Sequence, residues 1–208
     1  SSDALGRQGR FFVDWSSSAK WAEYYYEKAM KEGEPALRQA VNGWLEGVTD
    51  PQEKTKTILR RVRDDFRYVP WDYVVGSSRP VGKLLEEMSA DNEEKAVLLR
   101  AALALAGAKS YFALVAGRDA GIFNPGFFGL SQFTHTVVAA LKADGSYEWL
   151  DPTVPYAPYG FMPWRDSGAK ALLIKEGEGL LVDLPVKNET SRRRYEITVK
   201  LKEEGRAD

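Results

Sequence analysis

The most constraining feature of the sequence is a stretch that would be apolar on nearly every side of a helix. Between residues 96 and 106 only Arg100 is polar. Asp91 and Glu94 form a capping-box pattern just ahead of this stretch, and Gly107 is a natural terminator after it. A helix that is apolar all round is buried on most sides. The sequence therefore predicts a central helix with other elements packed around it.

The N-terminal third predicts three more helices. The first follows a cap at Ser16–Ser18 and ends near Lys31. Gly33 and Pro35 separate it from a second helix, whose apolar residues recur at helical spacing. Asp50–Pro51 then starts a third helix, with a capping residue followed by a proline in the first turn.

Strand signals begin after Lys109. Short apolar or alternating runs are separated by glycine-containing turns, and they lie at 111–116, 135–142, 146–151, 171–175 and 180–184. The last two flank residues 176–179, which predict a hairpin. Helices first and antiparallel strands second define an α+β domain.

The composition excludes several kinds of function. The chain has 208 residues, a formal net charge of −1 and no cysteine. Disulfides and thiolate metal sites are therefore excluded, and nothing favours nucleic acid as a partner. A single histidine among scattered carboxylates lacks the ligand spacing of a metal site, and no cofactor motif is present. No apolar run has the length of a membrane span, and no signal peptide is recognisable.

His135 and Asp151 are candidates for a paired imidazole and carboxylate. A three-residue loop at 143–145 would pair Lys142 with Ser146, which makes His135 and Asp151 diagonal neighbours on one face, roughly 7 Å apart at the backbone. A two-residue loop would instead place them on opposite faces. Asp151 also precedes a proline, and Asp-Pro is a common turn initiator, so the ordinary interpretation stays open.

Three segments carry a resemblance to a known family. They are Ser89-Ala90-Asp91-Asn92-Glu93-Glu94-Lys95-Ala96, Phe133-Thr134-His135-Thr136-Val137 and Trp149-Leu150-Asp151-Pro152-Thr153. In order and spacing the chain resembles the bacterial transglutaminase-like domains of the papain-like cysteine-enzyme superfamily, over roughly residues 11 to 185. The resemblance implies an α+β fold with N-terminal helices and a buried central helix packed on an antiparallel sheet. It also implies the base role for His135, the orienting role for Asp151 and the nucleophile position for Asn92.

The nucleophile itself is absent. The family has Gly-Asp-Cys-Lys-Asp-Lys-Ala where this chain has Ala90, Asn92 and Glu93–Glu94, and Thr134 also departs from the family pattern. A carboxamide cannot attack an acyl carbon, but it can donate and accept hydrogen bonds. We therefore expect a pseudoenzyme that binds a ligand or protein, or serves as a scaffold. Several neighbouring differences favour natural divergence over an engineered inactive variant.

Two alternatives remain. An active hydrolase or acyltransferase could use a hydroxyl from Ser89, Ser131 or Thr134, although an alcohol needs a closely aligned base. The domain could also be a purely structural spacer.

Aromatic residues suggest where a peptide-like ligand would bind. Phe123, Phe127 and Phe128 lie in a glycine-rich loop just before the strand with His135, and Trp71 could line a groove. The competing interpretation is that such residues fill the core.

The family resemblance also gives expectations about the parent protein. Residues 1–10 are interpreted as a linker from a preceding domain and 11–185 as the transglutaminase-like domain. Residues 186–208 are interpreted as a linker and the first strand of a following β-rich domain, with the strand at 195–202. Related domains commonly sit between β-rich domains in exported, periplasmic or envelope-associated bacterial proteins, and the same is expected here.

Overall fold

The computed structural model describes residues 12–70, 74–186 and 196 of the chain. The predicted N-terminal linker, Trp71 and all but one residue of the predicted strand at 195–202 lie outside the described residues. Within the described ranges, no helix combines the length and apolar character that a membrane crossing requires.

Five helices and seven strands make up the described part of the fold. In chain order they are α1 (Trp15–Lys31), α2 (Glu34–Trp44), α3 (Pro51–Arg60), β1 (Arg67–Tyr68), α4 (Val81–Glu87), β2 (Ser89–Ala90), α5 (Asn92–Leu105), β3 (Ser110–Ala116), β4 (His135–Leu141), β5 (Tyr147–Leu150), β6 (Lys170–Lys175) and β7 (Glu178–Asp183). A π-helical turn, Arg61–Asp65, extends α3, and a 3-10 turn, Leu130–Gln132, precedes β4.

Helix α5 is the centre of the molecule, as its sequence predicts. Asp91 caps it, and both hydrogen bonds of the capping box with Glu94 are formed. The helix contacts α1 to α4 on one side and β3 and β4 on the other. Its side chains from 96 to 99 are fully buried, so its first turn has a fixed position relative to the sheet.

Aspartate side chains cap α1, α3 and α5, with one difference from the prediction. Asp50 caps α3 as expected, accepting a hydrogen bond from the backbone of Glu53. Helix α1 is capped by Asp14 instead of Ser16–Ser18, because the Asp14 carboxylate accepts from the backbone N–H of Ser17. The predicted serines therefore lie inside the first turn.

The main sheet is antiparallel, in the order β5-β4-β3-β6-β7. In the β4–β5 hairpin Val138 pairs with Leu150, and the N–H of Lys142 donates to the carbonyl of Ser146 at 2.8 Å. This is the register of the three-residue loop, in which Gly145 has a φ of 82°. The hairpin prediction is confirmed.

The second hairpin has a tighter turn than predicted. Lys175 pairs with Glu178, which leaves only Glu176 and Gly177 in the loop, with φ angles of 53° and 80°. Two successive positive φ angles are typical of the two-residue turn that matches strand twist. The predicted loop at 176–179 was therefore too long by two residues.

The long connection between β5 and β6 folds back towards the end of α3. Asp64 accepts a hydrogen bond from the backbone N–H of Tyr156 at 3.0 Å. Arg63 donates to the carbonyl of Ala157. These contacts fix the connection that begins after β5, close in sequence to Asp151, against the end of α3.

Candidate site at the start of helix α5

Asn92 is the first residue of α5, and its side chain connects the helix to the sheet. The side-chain oxygen accepts a hydrogen bond from the backbone N–H of Thr136 at 2.9 Å. Thr136 follows His135 directly in β4. The structure therefore brings the predicted nucleophile position next to the strand that carries the predicted base.

His135 and Asp151 meet as the hairpin register requires. Nε2 of His135 lies 3.5 Å from Oδ1 of Asp151. That distance is an ion-pair contact that is too long for a strong hydrogen bond. The same Asp151 oxygen accepts from the backbone N–H and the hydroxyl of Thr153, at 2.8 and 2.7 Å, so the carboxylate is held in place from the opposite side.

A second carboxylate, that of Asp166, binds the other nitrogen of the imidazole. Oδ2 of Asp166 lies 2.6 Å from Nδ1 of His135. Asp166 belongs to a turn in which its N–H donates to the carbonyl of Pro163 and its own carbonyl accepts from Ala169. Sequence reasoning missed this residue, because Asp-Ser-Gly reads as an ordinary turn and has no spacing relation to the histidine.

The three side chains form a buried charged group. His135, Asp151 and Asp166 are 1%, 5% and 0% exposed. Burial by itself would lower the pKa of His135. The charges of Asp151 and Asp166 and their contacts with the ring outweigh burial and raise this pKa to about 10. At neutral pH the histidine is therefore an imidazolium between two carboxylates.

This group also has the residue types of a metal site. One atom from each of the three side chains lies within 4.8 Å of the others. However, Asp166 contacts Nδ1 while Asp151 faces Nε2, so the two carboxylates flank the ring at different nitrogens. A cation bonded in the ring plane at one nitrogen would be directed away from the carboxylate at the other. The arrangement matches a doubly protonated ring between two carboxylates better than a shared metal ion.

Glu93, in the first turn of α5, holds a neighbouring loop. Its carboxylate accepts hydrogen bonds from the Tyr26 hydroxyl and from the N–H groups of Gly76 and Ser78, each at 2.9 Å. Burial raises the pKa of Glu93 to about 7, although the three hydrogen bonds act in the opposite direction. Glu93 thus attaches the loop at residues 76–78 to the start of α5.

Glu94 binds the next part of the same loop. Its carboxylate accepts from Nε and Nη2 of Arg79, at 2.6 and 2.7 Å. A groove of about 460 Å³ lies along this attachment, beside the residue that precedes Asn92. It is lined by Arg67, Val69, Ser77, Arg79, Ser89, Asp91 and Glu94.

Lys95 completes the first turn of α5 and is fully buried. Its ammonium group donates to the carbonyls of Val62 and Arg63, at 3.1 and 2.7 Å. Burial lowers the pKa of Lys95 to about 8, against the opposing charges of Asp64 and Asp151. The lysine thereby fastens the π-helical turn to α5.

The phenylalanine loop packs mainly against α1. The Phe123 ring stacks on Trp15 at 5.7 Å between centroids, and the Phe128 ring meets Trp15 edge-on at 5.4 Å. The hydroxyl of Ser18 also donates to the carbonyl of Phe128 at 2.6 Å. Only Phe127 is exposed, at 51%. Phe123 and Phe128 thus have packing partners, and Phe127 is the loop phenylalanine best placed to contact a ligand.

Comparison with known proteins shows that a solved structure shares this architecture. Over 85% of its length the chain is similar to the crystal structure of a putative protease from Parabacteroides distasonis ATCC 8503, with 16% identity and a TM-score of 0.66. The chain covers 32% of that protein, about a third of its length. At this identity the likeness shows the fold, and it confirms the predicted α+β architecture.

Two further solved structures are more distant. A putative cysteine protease from Cytophaga hutchinsonii has 12% identity over 58% of this chain and 37% of its own, with a TM-score of 0.42. The periplasmic domain of TgpA from Pseudomonas aeruginosa bound to ethylmercury has 20% identity over 62% of this chain and 49% of its own, with a TM-score of 0.43. No family model and no curated protein sequence matches the chain.

Proposed function

We propose that this chain is a catalytically inactive transglutaminase-like domain that binds a peptide or protein, or serves as a scaffold, within a larger multidomain bacterial protein. The observation that carries the proposal is the bond from Asn92 to Thr136. An amide stands at the position of the reacting group, and its oxygen is used to connect α5 to β4. A carboxamide oxygen in that role has no nucleophilic chemistry to offer.

The surroundings of His135 argue against a substitute nucleophile. In the described part of the chain, the ring nitrogens contact the carboxylates of Asp151 and Asp166. The hydroxyl of Thr134 instead accepts from the N–H of Gly117 at 3.3 Å. A hydroxyl attack needs its own proton taken up by a neighbouring base, and this arrangement does not provide one.

Activity measurements test the inactive state directly. The purified chain should show no turnover of amide or ester substrates, and no labelling by acylating or phosphonylating probes. An active hydroxyl enzyme would be labelled, and the label would disappear in His135→Ala. Such a result would replace the proposed function with the alternative of a hydrolase or acyltransferase.

The groove beside the helix start supports the binding role. It is open along the loop held by Glu93 and Glu94, and both basic and acidic side chains line it. A groove with side chains of both charges suits an extended peptide that carries polar groups. Phe127 is an exposed aromatic residue on the loop before β4 and is proposed as a second contact.

Binding of the purified chain to an arrayed peptide library distinguishes a peptide-binding domain from a structural spacer. Ser77→Trp should fill the groove and abolish selective peptide binding, whereas Ser146→Trp, on the exposed β4–β5 loop, should leave it intact. Phe127→Ala should weaken the same peptides. The spacer alternative instead expects Asn92, His135 and Asp151 to be replaceable together without effect on partner binding.

The domain limits and location remain proposals drawn from the resemblance. We propose that residues 11–185 fold as a unit, and that the parent protein is exported or associated with the cell envelope and carries flanking β-rich domains. A fragment of residues 11–185 should melt at the temperature of the whole chain. Cell fractionation of the full-length protein tests the location.

A further inference from the structure

Both nitrogens of the only histidine face carboxylates. Nδ1 of His135 is 2.6 Å from Asp166, and Nε2 is 3.5 Å from Asp151. The two acids come from different parts of the fold, the end of β5 and the turn before β6. The ring is therefore hydrogen-bonded at Nδ1 and faces a carboxylate at Nε2, in a pocket from which solvent is excluded.

This arrangement removes the two properties that a catalytic histidine needs. A general base needs a nitrogen lone pair within reach of the proton it accepts. A histidine that activates a thiol as an ion pair needs an N–H directed at sulfur. In the doubly protonated ring the Nδ1–H donates to the carboxylate of Asp166, and Nε2 faces the carboxylate of Asp151. Two nearby carboxylates would also disfavour a thiolate at position 92 through like charge.

We infer that Asp166 is a second inactivating feature of the domain, separate from the loss of the thiol at position 92. It binds Nδ1, so this nitrogen is not available to a residue at the start of α5. Asp166 is thus a positioning residue that acts through His135. The inference rests on the proposed function, and it predicts that restoring a cysteine at position 92 does not restore an activated thiol.

The other charges around the ring do not change this conclusion. Nε of Arg165 lies 4.0 Å from the second oxygen of Asp166, and the Arg165 side chain is 40% exposed. Lys95 influences Asp151 from α5 but bonds to two backbone carbonyls. Asp151 remains fixed by Thr153 in any protonation state of the ring. Asp166 is therefore the group whose removal frees Nδ1.

The first test is the titration of His135 by NMR, which is simple because the chain has one histidine. In the unaltered chain the ring should remain protonated through pH 8. Asp166→Asn, which removes the charge and keeps the shape, should shift the titration to lower pH by at least about one unit, a tenfold change in proton affinity. Titration of the unaltered chain near pH 6.5 would overturn the inference, even if no variant folded.

The second test measures the reactivity of a thiol placed at the start of α5. In Asn92→Cys the rate of alkylation by iodoacetamide against pH should give an ordinary thiol pKa. This pKa should match that of Gln52→Cys, a control at an exposed position in the first turn of α3. Adding Asp166→Ala should free Nδ1 and speed alkylation at pH 7 by about tenfold, equivalent to one pKa unit.

The outcomes separate the two proposals. A lowered thiol pKa in Asn92→Cys alone would overturn the role of Asp166 and leave the inactivity of the unaltered chain unaffected. Equal alkylation rates with and without Asp166→Ala, in folded proteins, would also overturn it. Turnover by the unaltered chain would instead overturn the proposed function.

Discussion

The side-chain oxygen of Asn92 and the backbone N–H of Thr136 are joined by a 2.9 Å hydrogen bond between the first residue of α5 and the second residue of β4. The bond spans 44 residues of sequence. It connects the buried helix to the sheet next to His135. The residue at position 92 therefore contributes to stability.

Removal of this bond gives the first prediction. Asn92→Ala should lower the free energy of unfolding by about 1 kcal/mol, the net contribution of an ordinary hydrogen bond. Asn92→Asp keeps an acceptor oxygen and should lower the free energy of unfolding by a smaller amount. Urea denaturation measures both, and an alanine variant as stable as the unaltered chain would contradict a structural role for the amide.

The second prediction concerns the pH dependence of stability. The pKa of His135 is about 10 in the folded protein, whereas an ordinary histidine has a pKa of 6.5. Between these two pH values the folded state keeps a proton that the unfolded state has lost. The stabilisation is complete below pH 6.5 and is lost as the pH rises towards 10. The free energy of unfolding should therefore fall by nearly 1.4 kcal/mol for each pH unit, which is about the value for one proton bound in the folded state alone.

The range from pH 7 to 8 isolates this effect. Below about pH 7 Glu93 contributes as well, and above about pH 8 the lowered pKa of Lys95 makes stability rise with pH. Chemical denaturation at several pH values measures the slope, and Asp166→Asn should reduce it. A flat profile between pH 7 and 8 would mean that the ring is neutral in the folded state.

Glu93 provides the third prediction. Because its folded pKa is about 7 and its ordinary value is 4.5, the folded state binds more protons between these values, and its contribution to stability falls as the pH rises through them. Glu93→Gln removes this titration and directs an N–H₂ group at a backbone donor, at a cost of about 1–3 kcal/mol.

The difference in the free energy of unfolding between the unaltered chain and Glu93→Gln should therefore shrink as the pH rises from 5 to 7. Glu53→Gln, on the exposed surface of α3, serves as the control and should change stability by less than about 0.5 kcal/mol. A difference that grows with pH would show that the folded pKa of Glu93 is not raised.

The fourth prediction compares two glycines. An added Cβ at Gly179 would lie 2.2 Å from the carbonyl oxygen of Trp15, whereas one at Gly43 would meet nothing within 4 Å. Gly179→Ala must move α1 away from β7, and overpacking of this kind costs about 1–3 kcal/mol. Gly43→Ala lies in α2 and should stabilise the protein by about 0.5–1 kcal/mol. Thermal unfolding of both variants measures the contrast.

Much of the fold could be predicted from local patterns. The apolar stretch at 96–106 identified the buried helix, and Asp91 with Glu94 identified its start. The turn at 143–145 limited β4 and β5 to two registers, because the length of a hairpin loop determines which residues pair on either side of it. The structure has the register of the three-residue loop. The contact between His135 and Asp151 followed from that register.

Other features depended on competition between neighbouring groups. The residue types at Ser16–Ser18 are those of a helix cap, but Asp14 is the cap of α1. The Asp14 carboxylate accepts a hydrogen bond from the N–H of Ser17. Phe123 and Phe128 pack on Trp15, which is more than 100 positions earlier in the chain. No local pattern distinguishes such a packed aromatic residue from an exposed one.

By itself the sequence determined the order of the main helices and strands, the central helix and the absence of a thiol, since each depends on residue type and short spacing. It limited the β4–β5 hairpin to two registers, and the structure has the one with the three-residue loop. Only the tertiary structure decided that Asp166 binds His135 across 31 residues and that Glu93 and Glu94 bind the loop around Gly76 to Arg79. Such contacts depend on how long connections fold back over the core, and their free energy comes from groups that are adjacent only in the folded chain.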